Sequence, residues 1–375
     1  MKFSRFQKIF IISCAMWAIY EIARIYFIMP LPGSQELNNL QLAYFLHTNR
    51  WLFRIIFAIL ILVCTYETLK FHQYLSSIFL CILGIILYYT NFEMPADQMF
   101  KQPNQLVFSN SLDNKVDGDR IIMGVQYNNL SKAYPMQFLA YHHFIIDSFG
   151  DKELMITYCT VCRTGRVYET FINDQREKFR LVGMDHFNAM LEDKSTGSWW
   201  RQSTGDAVTG PRKGQQLKEY PYSQMTLSKW LEKYPESLIF QGDHDFISEY
   251  DSLSNYESGK RKGKLTKRDS LSWKDKSWVI GIKSGNLAKA YDWNELVKTG
   301  IIQDEFDNIP IILIYSQESK NFAAYKVNKT DSHFEIKNDT IITKLHRYDY
   351  FGKSLDSTGQ DLSVLPSYQE YWHSW

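Results

Sequence analysis

Cysteine is scarce in this chain, five in 375 residues, and only Cys159 and Cys162 lie outside the hydrophobic N-terminal region. A closed zinc site needs about four ligands, and no second C-x-x-C exists to complete one. Arg163 stands where haem attachment at C-x-x-C requires a histidine, so haem is not indicated. No charge of one sign dominates either: the formal net charge is +1, which gives no electrostatic case for a nucleic-acid partner. Nucleophile elbows, phosphate loops and H-E-x-x-H are all missing, so nothing points to a nucleotide cofactor, and whether the chain is an enzyme stays open.

What the chain has in plenty is apolar sequence near its start. Within residues 1–94, runs at about 8–29, 51–69 and 74–91 each approach the ~20 residues that span ~30 Å of hydrocarbon. The lipid bilayer is therefore one expected partner. Glu21 and Arg24 interrupt the first run and are spaced to pair along a helix or face a bundle interior. Lys2, Arg5 and Lys8 precede the first span and Lys70 lies between the second and third, while Arg50 and Arg54 weakly oppose the same orientation. The expectation is a multi-pass protein with an extracytoplasmic, hence periplasmic, soluble region, where a disulfide is permitted. Cys14, Cys64 and Cys81 fall in the apolar runs and read as packing residues.

The soluble part matches itself at one constant offset. Ile122–Val125 aligns with Val279–Ile282, Asn129–Tyr134 with Asn286–Tyr291, Leu139 with Leu296, Asp147 with Asp304, Phe149 with Phe306 and Tyr158 with Tyr315. After a net deletion, Leu217, Pro221 and Trp230 align with Leu362, Pro366 and Trp375. Runs such as Leu154–Tyr158 and Ile311–Tyr315 are β-branched or aromatic and bounded by turn residues. The fold class expected is N-terminal transmembrane helices followed by a β-rich α+β soluble region built from two degenerate repeats. The first occupies 95–250 and carries the C-x-x-C. An exposed linker fills 251–276, and a degenerate repeat at 277–375 has Ser316 and Ser319 where the first has cysteines.

That internal control sorts the candidates. Tyr134, Asp147 and Tyr158 occur in both copies and read as architectural, whereas the cysteines, His142, His143 and the Gly197–Trp200 segment are special to the first. Thr164-Gly165 and a following β-like run suggest that the pair sits on a hairpin knuckle, not at a helix start. Such a knuckle can present Cys159 and Cys162 to a transition metal, zinc or copper, with His142 and His186 as the added ligands. Alternation along a strand would send His142 and His143 to opposite faces. Redox-active dithiol and structural disulfide are the other readings of the same pair. Arg163, Asp185, Trp199, Trp200 and Arg201 are candidates for the rim of a site that meets a small molecule or a protein.

Several of these segments together resemble the family called domain of unknown function 3179. The matching text includes Ser131–Pro135, Thr157–Gly165, Leu181–Asn188, Thr196–Gln202 and Gly205–Pro211. The family is often written Tyr-Cys-Pro-x-Cys-Gly at the cysteines, where this chain has Thr160 and Arg163. The resemblance implies a shared fold and site across about 122–245, more weakly over 277–375, and no established activity.

Overall fold

The computed structural model describes residues 3–261, 263–285, 287–328, 333–357 and 359–375, with the side chains of 71–73 left aside. Lys2 and Asn286, used above for orientation and for the repeat, lie outside the described residues. The chain divides into two compact units: residues 1–101 with 175–217, and residues 102–174 with 218–375.

In the first unit, a Ser4–Gln7 capping box starts the helix Arg5–Tyr26. Helices Leu40–Thr48 and Arg50–Tyr88 follow. Arg54 and Asn91 are hydrogen-bonded although 37 residues apart, a separation that a straight helix would stretch to about 55 Å. The two apolar halves of the long helix therefore lie side by side. Arg5–Tyr26, Arg50–Lys70 and Tyr74–Glu93 are each long and apolar enough to cross a membrane. Their polar residues are matched internally: Glu21, fully buried, accepts from Arg24 at 3.1 Å and from Arg54 at 2.6 Å. A lone buried charge would be costly, and this pairing explains how Glu21 and Arg24 sit within an apolar run.

The segment 175–217 groups with these helices. It forms a four-stranded antiparallel sheet in the order Ala207–Thr209, Trp199–Arg201, Asn188–Asp193, Phe179–Asp185. Met184 N–H donates to the Ile28 carbonyl at 2.7 Å, and a Cβ at Gly183 would lie 2.1 Å from that same oxygen, so only glycine permits the approach. Arg180 bonds Glu192 at 2.7 Å and His47 at 3.0 Å, while Trp199 Nε1–H donates to Glu192 at 2.8 Å.

The second unit holds two successive runs with the same order of elements. One has strands Ile121–Tyr127 and Leu130–Pro135, helix Met136–His142, then strands Phe144–Phe149, Lys152–Cys159 and Thr164–Glu169. The other has strands Trp278–Ser284 and Leu287–Asp292, helix Trp293–Thr299, then strands Ile301–Phe306, Ile309–Tyr315 and Phe322–Lys326. Strand Ser223–Thr226 pairs with the first strand of one run, and Ser367–Tyr371 with the first strand of the other. A Cβ at Gly124 would stand 2.5 Å from the Trp230 ring, and one at Gly281 would stand 2.2 Å from Trp375. Tyr134 O–H donates to Asp147 at 2.6 Å and Tyr291 O–H to Asp304 at 2.9 Å. Each run has its own core, one around Tyr134, Leu139 and Ile156, the other around Ile280, Leu296 and Leu313.

Candidate functional site at the Cys159–Cys162 turn

Strands Lys152–Cys159 and Thr164–Glu169 pair antiparallel, with Cys159 opposite Thr164, so the cysteines bracket a hairpin turn. Arg163 adopts a left-handed conformation (φ 57°) that closes the turn. Cys162 N–H donates to Cys159 Sγ at 3.4 Å, and the two residues form a disulfide with their Cα atoms 5.5 Å apart. Both are 0% exposed.

The turn's backbone carbonyls are each capped by distant side chains or backbone. Tyr256 O–H donates to the Thr160 carbonyl at 3.0 Å, Lys276 Nζ to that of Val161 at 2.5 Å, and Tyr371 N–H to that of Cys162 at 3.0 Å. His373 Nε2 lies 3.2 Å from the Val161 carbonyl. Burial pushes Lys276 down to about 8 and His373 down to about 4. Arg163 itself is fully buried, donating to Gln369 at 2.9 Å and to the Glu257 carbonyl at 3.1 Å, with its guanidinium 4.0 Å from the Trp278 ring centroid. Beside it, Arg166 Nη2 pairs with the buried Glu370 at 2.5 Å, and Thr164 O–H donates to the same carboxylate at 2.9 Å.

The expected metal ligands are not gathered here. The two histidines do not lie on a strand: His142 ends a helix and His143 is its left-handed cap (φ 63°). His142 Nε2 is 2.6 Å from the Tyr250 hydroxyl, whereas His143 Nδ1 is 3.0 Å from the Tyr158 carbonyl, next to Cys159. His186 belongs to the other unit, where its ring is 2.8 Å from Asp185 and Asp185 pairs with Arg201. Among the described residues, no group of three His, Cys, Asp or Glu side chains is placed to hold a metal ion. Trp199 and Trp200 are 0% exposed, so they are core residues and form no open rim, and Arg163 is equally enclosed. A polar turn running into two tryptophans reads the same from sequence whether the rings face solvent or core.

A family model described as "Protein of unknown function (DUF3179)" matches residues 103–375. The chain belongs to this family. Comparison with curated proteins and with solved structures returned no match. The DUF3179 motifs now have physical roles. In Thr196–Gln202, Asp193 accepts from Thr196 N–H at 2.7 Å and from Trp200 Nε1–H at 2.8 Å, which ties the hairpin to its core. In Gly205–Pro211, Gly210 has φ 96° and a Cβ there would meet Ser198 Cα at 2.6 Å. The Tyr-Cys-x-x-Cys-x-Thr-Gly stretch is the capped disulfide turn.

Sequence reasoning passed over Lys276, Gln369, Glu370 and His373 as site residues, because nothing local marks a residue that reaches a turn more than 90 positions away. One signal was legible: His143 aligns with Gly300, which has φ 75° in the same helix-capping position. A histidine held where its counterpart is glycine gives up backbone comfort.

Proposed function

We propose that this DUF3179 protein is a membrane-anchored, extracytoplasmic scaffold of two interlocked repeats, in which the Cys159–Cys162 disulfide locks one turn. The observation that carries this reading is the burial of Cys159 and Cys162, both 0% exposed, in a turn whose carbonyls are held by Tyr256, Lys276 and Tyr371, with His373 alongside. A thiol oxidoreductase needs a sulfur its substrate can reach, so that reading draws less support. A zinc or copper site would need freed thiolates and further donors that the described residues do not bring to the turn.

The repeat is supported by equivalence in detail: the same element order, the same glycine-on-tryptophan contact and the same tyrosine–aspartate bond in each half. The halves also exchange ends. Tyr371 from the second caps the first half's turn, and Thr226 N–H from the first donates to Asn321 at 2.7 Å beside the second half's turn. The orientation is supported by Arg5, Lys8 and Lys70, and Glu21 pairs with Arg54, which leaves Arg50 as the cation opposing them.

Thiol trapping on intact membranes tests the reading. In folded full-length protein, a maleimide reagent after mild dithiothreitol labels wild type and the Cys159→Ser/Cys162→Ser variant alike. After denaturation and reduction, wild type carries two more labels than the variant. Release of those thiols in the folded protein would instead favour redox chemistry. Near-stoichiometric metal in reduced protein, lost in the double variant, would restore the metal reading.

A further inference from the structure

A cleft of about 450 Å³, within the size range of ligand sites, opens in the second unit. It lies where Val107 and Gln241 flank the paired strands Phe108–Ser109 and Leu238–Phe240, and helix Ile247–Ser252 contributes to its lining. The lining is tied down from behind. Lys115 N–H donates to Gln241 Oε1 at 2.9 Å, and Arg120 Nη1 donates to the Ser254 carbonyl at 2.9 Å. A Cβ at Gly242 would stand 2.8 Å from the Tyr250 ring, so glycine lets the chain lie against it. The Phe138 and Tyr250 rings, with centroids 4.5 Å apart, join Val116 and Ile247 in an apolar wall.

Lys115, Arg120, Asp117 and Asp251 line the same cleft. Among the described residues, none of these four forms an ion pair. Asp243 lines it too, but its carboxylate already accepts from the backbone N–H groups of Asn104 at 2.7 Å and Asp245 at 3.1 Å. Two cations and two carboxylates are left unmatched around an aromatic wall.

We infer that this cleft binds a small zwitterion with an apolar body, the chemistry of a free apolar α-amino acid. Charges of one sign would call for an anion or a cation alone, whereas two of each suit a ligand that carries both. Arg120 and Lys115 match the carboxylate, with the guanidinium offering a planar fork, and Asp117 and Asp251 match the ammonium. Half-exposed charges contribute little by themselves, so the ligand's side chain against Phe138 and Tyr250 supplies the larger share of the affinity.

The test titrates full-length protein in detergent with L-phenylalanine, followed by calorimetry. Saturable binding is expected. Phenylalaninamide lacks the carboxylate, N-acetyl-L-phenylalanine lacks the ammonium and glycine lacks the apolar body, and each should bind at least tenfold more weakly. Arg120→Gln should weaken L-phenylalanine at least tenfold. Lys115 and Asp251 are exposed, so Lys115→Gln and Asp251→Asn should melt at the wild-type temperature while each weakens binding several-fold. These two variants keep the test open if Arg120→Gln does not fold. No saturation at millimolar L-phenylalanine, equal binding of either blocked analogue, or indifference to the substitutions overturns the proposal.

Discussion

The Cys159–Cys162 and Ser316–Ser319 turns, each following the same order of elements, are pinned by different chemistry. In the first, Cys162 N–H points at Cys159 Sγ and a disulfide closes the loop. In the second, Ser319 N–H donates to Ser316 Oγ at 3.2 Å, and both serine hydroxyls donate to Asp339, which is held in turn by Lys229 at 2.7 Å. Although burial works to raise the Asp339 carboxyl, the hydrogen bonds from Lys229 and Ser316 prevail and hold it below its ordinary range. Asp339 lies on a hairpin, Glu335–Lys337 with Thr340–Ile342, that supplies the second turn with its anchor. The comparison teaches that this fold needs a pinned turn and not cysteine as such. Where no carboxylate is delivered, a covalent bond does the pinning.

The largest expected effect separates the turns by their buried charge. Arg166 and Glu370 are a buried pair beside the first turn, and the corresponding positions of the other half hold Ala323 and Met225. Glu370→Met alone should cost about 3–5 kcal/mol by stranding the guanidinium. Arg166→Met/Glu370→Met should recover most of it. Urea unfolding of the three variants checks this, and a double variant as unstable as the single would show that the pair does more than balance charge.

Acid should weaken the first half selectively through His143. Burial, the larger influence, pushes His143 down to about 4 in spite of its bond to the Tyr158 carbonyl. A folded value below the unfolded ~6.5 means that stability is fully present above pH 6.5 and is lost as pH falls toward 4. The loss is on the order of 3 kcal/mol. His143→Gly, copying Gly300, should lessen the pH dependence of stability in that window, with His373 keeping its own share. An unchanged slope would remove His143 as its origin.

Gly124→Ala and Gly281→Ala should each destabilise by up to about 3 kcal/mol, because the new methyl enters the Trp230 or Trp375 ring. Thermal melts should show similar losses, and a large asymmetry would break the equivalence of the halves. The smallest effect is expected for Cys159→Ser/Cys162→Ser. Closing so short a loop contributes about 2 kcal/mol, so the melting temperature should fall by roughly 3–8 °C. Adding a carboxylate is what that variant lacks relative to the natural serine turn.

The apolar helices were legible because their signal is local: about twenty consecutive apolar residues announce themselves whatever surrounds them. The Glu21–Arg24 pair was legible for the same reason, being one helical turn apart. The knuckle at Cys159 was readable from Thr164-Gly165 and the strand beyond. The site's surroundings were not. Period and composition do not say whether Trp199 and Trp200 face water or core, and they cannot say that residues 175–217 join the apolar helices. His142 and His143 illustrate the limit: adjacent in sequence, they diverge because the helix ends between them.

By itself, the sequence determined the family, the apolar helices, the β-rich character and the internal match, all properties of neighbouring residues or of one stretch compared with another. Only the tertiary structure decided that His186 stands in a different unit from the cysteines, that Tyr371 and Tyr256 seal the disulfide, and that Asp339 does for the serine turn what a covalent bond does for the first. The physical reason is that burial and capping depend on groups brought together from far along the chain, and no local pattern encodes which distant group will arrive.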